Sequence, residues 1–418
     1  MAAEFTDPPV ELPELGDAVR YVARQPILDL RGQVRGYELL FRSGPEAVFR
    51  GDGDFATRTM LDNAMIFGLG ALTAGLPAFL NCTAESLIEG LVEVLPPSMT
   101  VLEILETLEP TPELVAACRR LKVLGYRIAL DDFTWMPKFA PLVELADYIK
   151  VDFLLTGAAG RQELMRHLDG RPIALLAEKV ETQEEQIRAC AEGFTLFQGY
   201  YFCRPTLMKK RKIPANQFAH LRMLEALQQD PLDLTRLSEL VKQDASLAYR
   251  FFRLVNSPLY ALRQEVRSIN AVLLVLGDDA IRRVAMLAIV SEMNANQTPE
   301  LLRMALVRAR FCELAASTCA LRQGEQYLLG MFSMLPAMLQ ISAVDIAPLL
   351  PLRETIRQAL QGAGGTESSL LRWMESRERG DWKRCDGIAQ SNGLDQDDLA
   401  RSYAQALVWA ETGLHSVS

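Results

Sequence analysis

Histidine is almost missing from this chain. Its 418 residues include three, His167, His220 and His415. Only two of these fall in the C-terminal half, so a histidine-rich metal centre cannot be built there. Cysteine is sparse in a different sense. The seven residues, Cys82, Cys118, Cys190, Cys203, Cys312, Cys319 and Cys385, are odd in number, scattered, and without a CxxC spacing. That pattern argues against a disulfide framework and a zinc cluster, and it points to a reducing cytoplasm. Cys312 and Cys319 could share a helix face, where buried, inert thiols are expected. Positive charge is also short: the formal net charge of −9 discourages general affinity for nucleic acid, whose phosphates need a basic surface. The basic run "MKKRK" at 208–212 reads as solvated linker. Finally, no long apolar run is unbroken. The longest, "INAVLLVLGDDAIRRVAMLAIV", is interrupted by Asp278, Asp279, Arg282 and Arg283, short of the roughly 18 uninterrupted residues that a membrane span takes. The start, "MAAEFTDPPVELPELGD", has neither the basic opening nor the apolar core of a secretory leader, and residues 1–19 are expected to form a flexible arm.

What the chain does have is alternation. Eight strand candidates follow one another: "YVARQPILDL", "RGYELLFR", "AFLNCTA", "TVLEILET", "RIALDDF", "YIKVDF", "IALLAEKV" and "LFQGYYF". Amphipathic helical patterns separate most of them, as in "TPELVAACRRLKVLG", where Leu114, Cys118, Leu121, Val123 and Leu124 mark one face and Gly125 the stop. The turn between the first two strands is too short for a helical crossover and predicts an antiparallel hairpin. The spacing predicts an α/β TIM-like (β/α)8 barrel over residues 20–206, with an antiparallel first strand, and an open doubly wound sheet is the alternative. A linker, 207–216, separates it from residues 217–418, where nearly everything reads as helix. The second domain is therefore expected to be all-α, with Gly277 ending one helix and Asp278 opening the next.

The polar residues of the strands cluster at their C-terminal ends, the mouth of such a barrel. Glu38 lies in the second strand, Asn81 in the third, and Glu103 and Glu106 in the fourth. Asp131 and Asp132 end the fifth, Lys150 and Asp152 lie in the sixth, Glu178 and Glu181 in the seventh, and Gln198 in the eighth. One such acid alone reads as a helix cap or an ion-pair partner. So many carboxylates at one mouth would repel one another unless cations shared them. Oxygen donors select Mg²⁺, Mn²⁺ or Ca²⁺, and two ions roughly 3.5–4 Å apart can clamp an in-line phosphoryl displacement.

In this order the segments resemble the EAL domain, the cyclic di-GMP phosphodiesterase family, over residues 21–205. The motifs are "YELLFR", "FLNCTAESL", "LEILETLE", "IALDDF", "YIKVDF", "AEKVETQEE" and "QGYYFCRP". The resemblance implies two divalent cations, Mg²⁺ or Mn²⁺, with Ca²⁺ inhibitory. Glu38, Asn81, Glu103 and Asp131 would hold one, and Asp131, Asp132 and Glu178 the other. It further implies that Lys150 holds the catalytic water beside Glu38 and Glu178. Arg42 would grip a substrate phosphate, for which its planar fork is suited, with Gln198 and Asp152 also toward substrate. Glu106 and Glu181 would stand behind the ligands, Glu106 bracing the loop after the Asp pair. Two departures stand out. Leu39 replaces a small residue in the opening motif, and "TWMPKF" at 134–139 replaces a glycine-containing loop, which puts rate, metal affinity and dimer coupling at issue.

Residues 213–292 resemble the HDOD domain through "IPANQF", "VKQDASLAYRFFRLVNSPLY" and "SINAVLLVLG". That resemblance implies a signalling or interaction module with an unidentified protein partner. The expected function is metal-dependent hydrolysis of cyclic di-GMP to linear pGpG, weak or regulated if the altered loop limits it, and a homodimer is possible in principle for such a barrel. Two other readings compete: a non-catalytic cyclic di-GMP receptor acting through the helical domain, and an enolase-type barrel with one Mg²⁺ and Lys150 as base. The last leaves Asn81, Asp132 and the helical domain without a role.

Overall fold

The computed structural model describes residues 21–42, 69–168, 170–203, 245–256, 269–294, 297–319, 323–350 and 352–414, with isolated positions between 220 and 237 and at 321. The expected arm, 1–19, and linker, 207–216, lie outside the described residues. Packing divides the chain into two units, of which one is Asp17–Arg204 together with Ser376–Trp382, and the other is built chiefly from Pro205–Glu375 and Lys383–Ser418.

The first unit is a closed barrel of eight strands in sequential order. They are β1 (Tyr21–Asp29), β2 (Val34–Arg42), β3 (Ala78–Cys82), β4 (Thr100–Ile104), β5 (Arg127–Leu130), β6 (Tyr148–Asp152), β7 (Ala174–Glu178) and β8 (Leu196–Phe197). β1 is antiparallel to both β2 and β8, whereas every pairing from β2 to β8 is parallel. The hairpin turn is stabilised by Asp29, whose Oδ1 accepts from the backbone N–H of Arg31 and Gln33. Helices α1 (Leu69–Thr73), α2 (Ala84–Ile88), α3 (Pro112–Val123), α4 (Ala140–Val143), α5 (Ala158–Leu168) and α6 (Gln183–Ala191) fill the connections.

Side chains alternate across each strand, and this period of two creates the site. Ile27, Phe79, Val101, Ala129, Leu176 and Leu196 pack together as one apolar cluster. Two residues further toward the mouth, on the same faces, stand Gln25, Asn81, Glu103, Asp131, Glu178 and Gln198. On β2 the apolar position is Gly36, where a Cβ would meet Pro77 O at 2.8 Å and the Phe79 ring at 2.9 Å, and Glu38 follows it. The opposite faces, including Leu102, Ile104, Ile128, Leu130, Ile149 and Val151, pack beneath the helices.

Two details depart from the sequence expectations. In α3 the buried face is Leu114, Ala117, Cys118 and Leu121, while Val123 is 88% exposed and Leu124 also faces solvent. At about 100° per residue, position 123 lies away from the line through 114, 118 and 121. β8 ends at Phe197 rather than running through "LFQGYYF". Gly199 has φ +145, and a Cβ there would lie 2.1 Å from Val180 O, so the chain leaves the sheet beside Gln198.

The second unit is helical: α7 (Ala245–Val255), α8 (Ile269–Met293), α9 (Pro299–Ala316), α10 (Gln323–Phe332), α11 (Leu335–Leu339), α12 (Ala343–Ile346), α13 (Glu354–Leu360), α14 (Thr366–Glu378), α15 (Trp382–Asn392) and α16 (Gln396–Leu414). As its sequence predicts, α8 is broken at Gly277, with φ 76° and ψ 174°. Phe311 stacks on Trp373 at 5.3 Å and meets Tyr403 edge-on. Among the described residues no single helix is long and apolar enough to cross a membrane.

The segment Ser376–Trp382, which sequence patterning leaves inside the helical domain, belongs to the barrel unit. Buried Arg377 donates from Nε to Val22 O at 3.0 Å and lies over the Trp382 ring at 4.3 Å. Tyr200 donates its hydroxyl to Glu378 at 3.1 Å and lies beneath Arg379. Gly380 adopts φ +68 against Leu40, whose Cδ1 would be 2.6 Å from an added Cβ.

Candidate active site

Lys150 is fully buried, and its ammonium is surrounded by acids from four other strands or strand ends. Nζ lies 2.6 Å from Glu103, 2.7 Å from Asp131, 3.0 Å from Glu178 and 3.5 Å from Glu38. These are close ion pairs by distance, although Nζ has no directed hydrogen bond. Burial opposes the charge on Lys150, but Glu103, Glu178, Glu38 and Asp131 together outweigh it and hold the ammonium well above the ordinary lysine value. For Glu103 burial dominates over Lys150, and its carboxyl is pushed well above the ordinary range. Burial does the same to Glu178, with help from Asp131, Glu38 and Asp132 against Lys150, raising it to about 8.

Glu38 is oriented from two sides. Asn81 Nδ2 donates to its Oε1 at 3.4 Å, and Gln198 Nε2 donates to its Oε2 at 2.5 Å. Gln198 also donates to Gln25 Oε1 at 2.6 Å. Gln25 escaped the sequence reading, yet it occupies the inward phase of β1, two residues before Ile27. Arg42 closes β2 opposite Tyr21; its side chain lies outside what the structure describes.

Consecutive strand residues face opposite ways, so delivering both Asp131 and Asp132 to one mouth needs a backbone device. Asp131 N–H bonds to Ile104 O and Phe133 N–H to Lys150 O. Between them Asp132 takes φ 41°, a left-handed conformation that aspartate tolerates better than most residues. The loop beyond is well anchored. Trp135 stacks on His167 of α5 at 4.2 Å, Phe139 meets Phe133 edge-on, and Met136 is extended as its following proline requires. Lys138 ties this loop to Glu109 at 2.7 Å. Glu106 is exposed on the turn after β4, and Glu109, the partner of Lys138, is exposed as well.

The remaining expected residues sit to one side. Asp152 Oδ1 accepts from Leu154 and Leu155 N–H, each at 2.9 Å, and its Oδ2 receives Lys179. Lys179 is also 3.6 Å from Asp132. Glu181 lies at the start of α6, where its backbone N–H donates to Glu185 in a capping box with Thr182. Lys179 directly follows the seventh strand, and nothing in the sequence tells which way a residue after a strand end turns.

Among the described residues no three His, Cys, Asp or Glu side chains form a ready-made metal cage. The donor chemistry nevertheless fits a hard divalent cation. Asn81 Oδ1, Glu103 Oε2, Asp132 Oδ1, Glu178 Oε2 and Gln198 Oε1 are buried acceptors without a hydrogen-bond donor, and a buried acceptor in that state costs about 1–3 kcal/mol. A cation placed among them would satisfy several at once.

Residues 81–205 match the family model of the EAL domain, and residues 213–345 that of the HDOD domain. The chain is 33% identical over 398 residues to "Cyclic di-GMP phosphodiesterase CdgJ" of Vibrio cholerae, covering 94% of this chain and 92% of that protein. It is equally 33% identical over 400 residues to "Uncharacterized protein YuxH" of Bacillus subtilis, covering 93% and 97% respectively. Among solved structures, a calcium and cyclic di-GMP complex of Klebsiella pneumoniae BlrP1 aligns with TM-score 0.37 and 24% identity over 44% of this chain and 54% of that one, so about half of BlrP1 is spanned. The EAL domain of Pseudomonas aeruginosa FimX bound to c-di-GMP aligns with TM-score 0.35 and 20% identity over 44% and 89%. With both domains matched in order and full-length relatives covered almost end to end, the chain belongs to the family of proteins that join an EAL domain to an HDOD domain.

Proposed function

We propose that the barrel hydrolyses cyclic di-GMP to linear pGpG with two divalent cations, Mg²⁺ or Mn²⁺, and that the HDOD region regulates it or passes its signal to a protein partner. One observation carries this reading. A buried lysine is ringed by four carboxylates at the barrel mouth, beside five buried acceptors that lack donors. The name of the Vibrio relative, a cyclic di-GMP phosphodiesterase, supports the same substrate.

Glu38, Asn81, Glu103 and Asp131 would hold one ion, and Asp131, Asp132 and Glu178 the other. When bound, the ions supply charge stabilisation at the phosphoryl oxygens and a more acidic water. Lys150, buried among these acids, orients the attacking water by hydrogen bonding. Its oxygen forms a bond to one phosphorus, the P–O3′ bond breaks, and the water proton ends on the leaving O3′, giving one linear product. Gln198 and Asn81 keep Glu38 in its rotamer. Arg42 takes the non-reacting phosphate, its fixed fork pairing with two oxygens. A cytoplasmic location accords with the seven free cysteines.

A second reading, binding without turnover, is favoured by one feature: Lys179 already sits beside Asp132. Incubating the full chain with cyclic di-GMP and Mg²⁺ or Mn²⁺, while following linear product and binding together, separates the two. Turnover that Glu38→Ala abolishes is expected. Tight binding without turnover in either metal leaves the receptor, and absence of both removes cyclic di-GMP from the account.

A further inference from the structure

Four non-glycine residues among those described have positive φ: Ala74, Asp132, Lys179 and Gln340. Two of the four meet at the barrel mouth. Asp132 directly follows Asp131 after β5, and Lys179 directly follows Glu178 after β7, at φ 41° and 55°. Side chains rarely adopt such angles without compensation, and their concentration at one place marks a functional constraint. The two unusual turns have the same effect, turning a carboxylate and an ammonium toward each other over the ligand set. Lys179 Nζ pairs with Asp152 and stands 3.6 Å from Asp132 Oδ2. Asp132 is thereby divided, one oxygen toward a tethered cation and the other, Oδ1, buried without a donor.

The two partners of Lys179 are unequal. Asp152 is fixed by two backbone N–H groups and is almost fully buried, its side chain 5% exposed against 37% for Asp132. Asp132 is the looser and more distant contact, so it is the one that a competing cation can take. Lys179 itself is half exposed, with room to withdraw toward water.

From this geometry we infer that Lys179 is a built-in counter-cation that competes with the divalent ion for Asp132. The ion shared by Asp131, Asp132 and Glu178 must displace Lys179 as well as contend with Lys150, whereas the ion at Glu38, Asn81 and Glu103 contends with Lys150 alone. The two ions therefore bind in sequence, and the second sets the metal concentration at which the site is complete. Lys179 is a positioning residue, acting through Asp132. The inference rests on the two-ion reading above.

The test is Mn²⁺ titration of the full chain by calorimetry, with free Mn²⁺ counted by electron paramagnetic resonance, in the wild type and in Lys179→Gln, Lys179→Gly and Lys179→Arg. The wild type is expected to give a tight and a weak class. Lys179→Gln should tighten the weak class by about tenfold, as removal of one nearby positive charge implies, and leave the tight class unchanged. Lys179→Gly should do at least as much, and Lys179→Arg should resemble the wild type. Equal weak-class affinities in wild type and Lys179→Gln overturn the inference while leaving two-ion binding intact. Tightening in Lys179→Gly alone also overturns it, since backbone relief rather than charge would then be the cause. If no variant binds Mn²⁺, the two-ion reading falls and this inference with it.

Discussion

Lys150 offsets repulsion that four acids within 3.5 Å of it would otherwise feel, and the balance is incomplete, which shows in Glu178. Its carboxyl is raised from 4.5 to about 8, chiefly by burial. A carboxyl whose folded value exceeds its unfolded one favours the fold while protonated. Its contribution is full below the ordinary value and fades as pH rises through the folded value. Metal-free protein in chelator is therefore expected to melt lower at pH 9 than at pH 6, by about 2–4 °C, and Glu178→Gln should flatten that slope in scanning calorimetry. A slope that survives the substitution would remove Glu178 as its source. At this scale the sequence was informative where chemistry and period coincide. Glu38, Asn81, Glu103, Asp131, Glu178 and Gln198 are polar residues on inward phases, and counting by two finds them. Gln25 lies on the same inward phase of β1 and the count finds it too, whereas the direction Lys179 takes depends on turn geometry, which no local pattern encodes.

The loop after β5 was expected to depart from a glycine-containing path, and its bulky residues have specific partners. Trp135 lies flat on His167, 32 positions later in the sequence, and Lys138 reaches Glu109. Trp135→Ala is expected to cost about 1–2 kcal/mol in urea denaturation, while Asp131 keeps its backbone bond to β4. An unchanged midpoint would mean that the stack does not hold the loop. Elements with a strong period are readable from sequence: eight strands, α3, and the break at Gly277. The errors came at their ends. Val123 is apolar yet 88% exposed, and β8 ends at Phe197 because the backbone turn at Gly199 is a contact with Val180, not a composition signal.

At the scale of the molecule, the order of barrel and helical region follows from the switch in period near residue 206. The seven residues Ser376–Trp382 do not follow from it. They have no period of their own, and their place is set by Val22, Leu40 and Tyr200, some hundreds of positions earlier. Arg377→Ala is expected to destabilise the barrel by about 2 kcal/mol, the usual scale for losing a buried hydrogen bond from a charged donor. Urea unfolding followed through Trp135 fluorescence would read it, and a barrel transition that does not move would make the segment a passive neighbour.

That segment bears on how such a chain can change over generations. A barrel cut out at residue 204 and joined to a new C-terminal half would lack the Arg377 bond to Val22 and the glycine turn that fits Leu40. Recombination near residue 205, where the two packed units part in sequence, would thus yield a barrel half with one of its packed segments left behind in the other parent, so the two halves are expected to be inherited as a pair.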